Sequence, residues 1–255
     1  MHDGTLVVAG GYHGRWMTEV IRDLRGHHEP QEEAVFHQIV QRLRADTDQP
    51  VMVELGAFWA YYTLWLKRAI PGARCLIVEP DPAGLQLGLR NAALNRVEVE
   101  ALQAAVGAGE LESVSFRCEP GGQTVQVPVV SVPGLIQAYG LDRIDLLHCD
   151  TQGAELAMLE GAEEPLRNRR IRFIVVSTHD ESISGDGQTH QRCLQILRGH
   201  GAHLIAEHSV EESASGDGLI AASLDPRDRD LTVEVSRVDP ARSLFAHSAN
   251  RQAQE

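Results

Sequence analysis

The sequence predicts an α/β protein built on a mainly parallel sheet with helices over both faces. Three observations predict it. From residue 51 onward short apolar runs alternate with amphipathic ones, the rhythm of strands joined by crossover helices. The chain has 255 residues, enough for one large α/β domain or a domain with a small appendage around a real core. Acids and a glycine stand directly after the strand-like runs, where such sheets bind ligands.

Residues 1–50 are expected to form a helical cap. Residues 16–24 have helical spacing, with Gly26 as the stop. A second helix begins at Pro30, because proline suits the first helical position and Gln31, Glu32 and Glu33 bring acid to the first turn. Its apolar positions Val35, Phe36, Ile39, Val40 and Leu43 recur at three and four, so one face packs. A turn at 47–50 leads into the main domain, 51–225.

There the reading is strand 51–55, helix 60–69, strand 74–78, helix 82–95 and a third strand within 97–106. Strands follow at 143–149 and 171–177, with a helix over 152–167 between them. A helix at 188–199 precedes strands near 203–207 and 219–223. Residues 113–130 break the rhythm with two β-rich pieces around Pro120, Gly121 and Gly122, an inserted hairpin. Residues 226–255 are polar and irregular, and the closing S-A-N-R-Q-A-Q-E is expected to fray.

Charge narrows the partners. Asp and Glu number 36 against 23 Lys and Arg, a net charge of −13, which repels phosphate backbones and argues against nucleic acid. The one dense basic run, 167–172, suits a helix end. Cys75, Cys118, Cys149 and Cys193 are scattered without C-x-x-C spacing, so buried thiols in a reducing cytosol are expected rather than disulfides or zinc. The first residues lack the basic region of a signal peptide. No apolar stretch approaches the roughly 20 residues needed to span a bilayer. A cytoplasmic protein is expected, and a homo-oligomer stays open.

The chemistry should lie just beyond the strands. Glu54, Leu55 and Gly56 close the first strand, and Glu79, Pro80, Asp81 and Pro82 follow the second. An acid about 20 residues beyond the glycine turn is placed to accept ribose hydroxyls. A dinucleotide turn needs further glycines against the pyrophosphate, but the frame anchored at Gly56 meets Phe58 and Tyr61 instead. S-adenosylmethionine carries no phosphate, so a turn with one glycine can serve it, with Glu54 near its ammonium group. The residues lean to that cofactor.

The motifs V-E-L-G-A at 53–57, Y-Y-T at 61–63, V-E-P-D-P at 78–82, L-R-N-A-A-L-N at 89–95, A-V-G at 105–107 and I-D-L-L-H-C-D-T-Q-G-A-E-L at 144–156 together resemble the FkbM-type S-adenosylmethionine-dependent methyltransferases. The likeness runs from about residue 28 to 222, and its last motif is the most specific. It implies a Rossmann-like class I methyltransferase fold, with a seven-stranded sheet whose last strand is antiparallel, and methyl transfer usually to a hydroxyl oxygen. It implies that Glu54, Gly56 and Ala57 line the methionine part of the cofactor, that Glu79 with Pro80 holds the ribose, and that Ala105 and Val106 lie by the adenine. Members commonly carry Asp and then G-A-N-x-G in the first motif; here Glu54, Phe58 and Ala60 stand instead. His148 replaces a usual lysine and Gln152 an acid, so this is a distinct branch.

Asp150 follows the fourth strand, where the methyl group would lie; it is also a good N-cap for the next helix. Glu155 suits a first helical turn on electrostatic grounds alone. His179, in S-T-H-D-E after the fifth strand, is the first candidate for a general base, since histidine is matched to that task near neutrality. His28, in H-H-E before the second helix, is its rival. His28, His148 and Tyr62 are candidate contacts to the acceptor. His148, Asp150 and His179 could alternatively gather a divalent metal, a reading not favoured because their spacing does not show it. Phe58, Trp59, Tyr61 and Tyr62 cannot all point inward, so at least one should face the pocket mouth. The expected activity is O-methylation of a sugar or other small polar metabolite. A catalytically inactive S-adenosylmethionine-binding scaffold and an NAD-dependent oxidoreductase remain as alternatives.

Overall fold

The structure is a computed structural model that describes residues 1–118 and 122–239. The apex of the expected hairpin at Pro120 and Gly121 and the expected frayed tail lie outside the described residues. In chain order the elements are α1 (Gly14–Asp23), α2 (Pro30–Asp46), β1 (Val51–Leu55), α3 (Tyr61–Ala69), β2 (Arg74–Val78), α4 (Pro82–Asn95) and β3 (Glu100–Leu102). Next come β4 (Ala105–Val106), β5 (Leu111–Arg117), β6 (Thr124–Val130), α5 (Val132–Ala138) and β7 (Ile144–Cys149). They are followed by α6 (Glu155–Gly161), α7 (Glu163–Arg167), β8 (Ile171–Thr178), α8 (Glu181–Ser184), α9 (Thr189–Gly199), β9 (His203–His208) and β10 (Gly218–Ser223).

Seven strands form one sheet in the order β3-β2-β1-β7-β8-β10-β9. Val53 pairs with Leu76 on one side and Leu147 on the other, both parallel. Strand β10 runs antiparallel to β8 and to β9. The sheet is mainly parallel with its last strand reversed, as the sequence led one to expect. Strands β7 and β8 are buried at every position, which is why they read as mainly apolar runs. One apolar cluster holds Leu135, Met158, Leu159, Leu194 and Leu197 against the sheet; a second holds Phe36, Ile39, Leu43, Trp65 and Leu66. The order reverses between β1 and β7, so their carboxyl ends flank the crevice where ligands bind in open α/β sheets.

Strands β5 and β6 pair antiparallel, and β4 joins β6 to make a second, three-stranded sheet. The helix expected over 152–167 is two helices. Gln152 and Gly153 have φ of +54° and +116°, which delays its start to Glu155. Pro165 has no N–H to give the carbonyl four residues back, which divides α6 from α7. Helix α5 is not among the expected elements; proline sits in its first turn and Ser131 caps it by accepting from Gly134 N at 3.1 Å. The segment before α1 lies along α4, with Val8 N donating to Asn91 Oδ1 at 2.8 Å and Leu6 N to Asn95 Oδ1 at 2.9 Å. All four cysteines are buried thiols. Among the described residues no helix is long and apolar enough to cross a membrane.

Candidate functional site

The turn after β1 is held by the ladder it leaves: Gly56 N and Ala57 N both donate to Val78 O, at 2.9 and 3.1 Å. Gly56 has φ of +75°, and a Cβ there would stand 1.6 Å from the carbonyl oxygen of Asp150. Only glycine lets β1 and β7 end so close together. Phe58 and Ala60 are also left-handed, with φ of +40° and +60°. A non-glycine residue there costs roughly 1–2 kcal/mol. Both are positions where the sequence departs from the common motif, and Asn and Gly are the residues this backbone prefers.

Glu79 closes β2 and is buried. Its Oε2 accepts from Phe58 N at 2.8 Å and its Oε1 from Asp81 N at 2.9 Å. Burial outweighs those bonds and raises its carboxyl to about 7. Pro80 follows at the surface of the turn, its carbonyl accepting from Gln103 Nε2 at 3.4 Å. Ala105 and Val106 form β4, beyond the end of β3, and pair with Val129 and Val130. Glu54 is buried; its Oε2 accepts from Thr63 N at 3.0 Å and so meets the first turn of α3. Burial raises its carboxyl above the usual range.

At the ends of β7 and β8 the structure brings His179 and Asp150 together, with His179 Nε2 3.3 Å from Asp150 Oδ1. Gln152 Nε2 is 2.9 Å from the same ring nitrogen. On the other side His179 Nδ1 meets Glu155 Oε1 at 3.0 Å. That oxygen also accepts from Thr151 N, Thr151 Oγ1 and Gly153 N at 3.0–3.1 Å, so Glu155 organises the turn rather than merely sitting in a first helical turn. Helix α6 starts too late for Asp150 to cap it. Burial alone would lower the His179 pKa, but Asp150 and Glu155 carry it up to about 11. The ring is therefore an imidazolium near neutrality, not the free base that sequence reasoning expected.

Sequence reasoning missed Asp217. Its Oδ1 lies 3.4 Å from His179 Nε2, and its side chain, like that of Asp150, is about one quarter open: 24% and 28% against 0% for His179. Burial and the charge of Asp150 raise Asp217 to about 7, against the pull of His179. Because β10 runs backwards, its first residue, Gly218, pairs with Thr178, so residue 217 enters at the rim where β8 ends. The strand order held that signal; the local sequence did not.

The three acceptor candidates gather nearby in two pairs. His148 Nε2 meets Glu32 Oε1 at 2.7 Å, and its ring lies 4.3 Å from that of Tyr62. Burial would lower the His148 pKa, and Glu32 holds it raised. His28 Nε2 meets Glu29 Oε2 at 3.1 Å, and Tyr62 Oη donates to the same oxygen at 3.2 Å. His28 is carried up to about 10 against its burial, chiefly by Glu29 and then Glu33. His148 and His179 thus face different carboxylates and do not converge as one ligand set with Asp150. Trp59, Tyr61 and Tyr62 are buried; Phe58 is the partly open aromatic, tilted 5.6 Å from the ring of Tyr12. Tyr12, a second residue the sequence did not single out, stacks on Trp59 at 4.2 Å. His148 Nδ1 is buried without a hydrogen-bond partner, which suits a crevice built around a polar ligand.

A family model described as the methyltransferase FkbM domain matches residues 45–204. The chain is 30% identical to the methyltransferase sdnD of Sordaria araneosa, over 52% of this chain and 68% of that protein. Among solved structures it is similar to a precorrin-6y C5,15-methyltransferase from Geobacter metallireducens, with 16% identity, 74% of this chain and 86% of that one covered, and a TM-score of 0.46. It is also similar to TrmK of M. capricolum in complex with S-adenosylhomocysteine, with 10% identity, 78% and 74% covered, and a TM-score of 0.45.

Proposed function

Since this chain belongs to the FkbM methyltransferase domain family, we propose that it methylates a hydroxyl oxygen of a sugar or another small polar acceptor, using S-adenosylmethionine. The cofactor supplies a methyl group activated on a sulfonium. The observation that carries the proposal is the outward-facing pair Asp150 and Asp217, held over the buried imidazolium of His179 at the switch point of the sheet.

Each residue has a physical task. Glu79 keeps one bond from backbone N–H on each oxygen and has lone pairs left for two ribose hydroxyls. Gly56 and Ala57 let backbone approach the cofactor's amino acid part, and Glu54 adds negative charge there. Phe58 offers an aromatic edge beside Glu79, and Ala105 with Val106 supplies apolar surface for the base. The acceptor hydroxyl becomes acidic as its oxygen attacks, and a base poised near the working pH serves it best. Asp217, at about 7, is that base. Asp150 orients the hydroxyl, and His179 anchors both carboxylates. His28, His148 and Tyr62 line the acceptor side.

The test is methyl transfer to a panel of sugars and hydroxylated metabolites, read as a gain of one methyl by mass. Asp217→Asn should lower kcat on the true acceptor by about 100-fold or more and abolish the rise of rate through pH 7, with S-adenosylhomocysteine affinity little changed. Glu79→Ala should weaken that affinity instead. Full turnover in Asp217→Asn overturns the assignment of the base. Calorimetry showing no binding of either cofactor form overturns the reading as a whole; binding with no turnover on any acceptor leaves the inactive scaffold.

A further inference from the structure

A second cluster lies outside this site, where the N-terminal segment meets the start of α2. His2 Nε2 is 3.4 Å from Glu33 Oε2, and His27 Nδ1 contacts the same oxygen. The ligand atoms of His2, His27 and Glu33 all lie within 4.8 Å of one another. The two imidazole rings stack at 3.8 Å with 14° between their planes, and His2 rests edge-on against Trp65 at 4.7 Å. Each ring presents one nitrogen to the same Glu33 oxygen.

The carboxylate is held just as firmly. Glu33 is 1% exposed, and its other oxygen accepts from His28 N at 3.0 Å and meets His28 Nδ1 at 2.9 Å. One oxygen is fixed by His28, and the second is presented to His2 and His27. The backbone is built to the same end. His2 N donates to Gly26 O at 3.1 Å, and a Cβ on Gly26 would stand 2.5 Å from His2 N, so glycine is what lets the N-terminal segment press in here. His2 lies on the exposed side, leaving room for water as a fourth ligand.

We propose that His2, His27 and Glu33 bind one divalent ion of the zinc class. Two imidazole nitrogens and one carboxylate oxygen are a donor set for zinc in four-coordinate geometry, with water completing it. The carboxylate held through its far oxygen is the supporting bond that metal ligands usually have. The ion does no methyl chemistry at this place. It ties the segment that carries Tyr12 to the start of α2, with Glu32 and Glu33 in its first turn and Glu29 just before it, and so fixes one wall of the crevice. The proposal is independent of the methyl-transfer reading.

The experiment uses the full-length chain without an affinity tag, stripped by chelator and titrated with Zn²⁺ by calorimetry and Co²⁺ by visible absorption. One equivalent should bind, with the intense Co²⁺ absorption of a tetrahedral site. His2→Ala and His27→Ala should each weaken binding at least about tenfold. His37→Ala, an exposed histidine on α2, should leave it unchanged. Hydrogen exchange in residues 1–13 should slow on adding Zn²⁺ to the wild type and not to His2→Ala. The proposal is overturned if no equivalent binds, if binding survives both variants, or if His37→Ala loses as much as they do.

Discussion

Ala60 shows what a single residue's backbone demands. It holds φ of +60° and caps α3 without a side-chain bond. Ala60→Gly removes the left-handed strain but also a buried methyl and gives the unfolded chain more freedom. These terms are each about 1 kcal/mol and largely cancel. Stability in urea should therefore move by less than about 1 kcal/mol. Ala60→Val puts a β-branched side chain into the same conformation, beside Gly88, and should cost more than about 2 kcal/mol. Equal stability of the two variants would remove strain as the account of this turn. The places of Glu79 and Asp150 at the strand ends were legible because each directly follows a strand that reads clearly. The proton state of His179 was not. It depends on Asp150 and Glu155, which lie before α6 and in its first turn, on the far side of strand β8 from His179 in sequence.

At the scale of elements, the strands were legible to within a residue or two because those in the centre are buried on both faces and stay mostly apolar despite Asp145, His148 and Arg172. Helices were legible where period and caps agreed, as in α2 and α4. Helix α5 was lost because its stop-like residues sit at its start. That makes its cap a direct test: Ser131→Ala leaves Gly134 N without its partner and should cost about 1 kcal/mol. A loss below a few tenths would mean that the packing of Val132, Leu135 and Ile136 alone holds this helix in place. The second cofactor-side feature, β4 against β6, was anticipated as a hairpin but not as a three-stranded sheet, since a two-residue strand leaves no periodic trace.

For the whole molecule, buried histidines and acids set the pH at which the fold is strongest. His28 and His179 have folded pKa values raised to about 10 and about 11. Such groups stabilise in full below the unfolded value of 6.5, and that stability is lost as pH climbs through the folded values. Glu33 is depressed to about 2, against burial, by its bonds to His28 and His27, so its share is present above 4.5 and lost as pH falls towards 2. Glu79 and Asp217, raised to about 7, add a further loss as pH climbs to that value. The Tm should thus be highest near about pH 4.5, decline from there through 7 and beyond, and fall on the acid side as Glu33 protonates. A Tm at pH 9 above that at pH 6 would contradict it.

The reversed strand has a consequence for how the molecule is made. Strands β1, β2, β3 and β7, with Gly56, Glu79 and Asp150, leave the ribosome well before residue 217. Chains fold from the N-terminal end during synthesis. A nascent chain can therefore shape the cofactor side of the crevice while its proton acceptor does not yet exist. Only when β10 slides between β8 and β9 does Asp217 arrive opposite Asp150, so the last insertion into the sheet is also what turns a binding cleft into a reactive one.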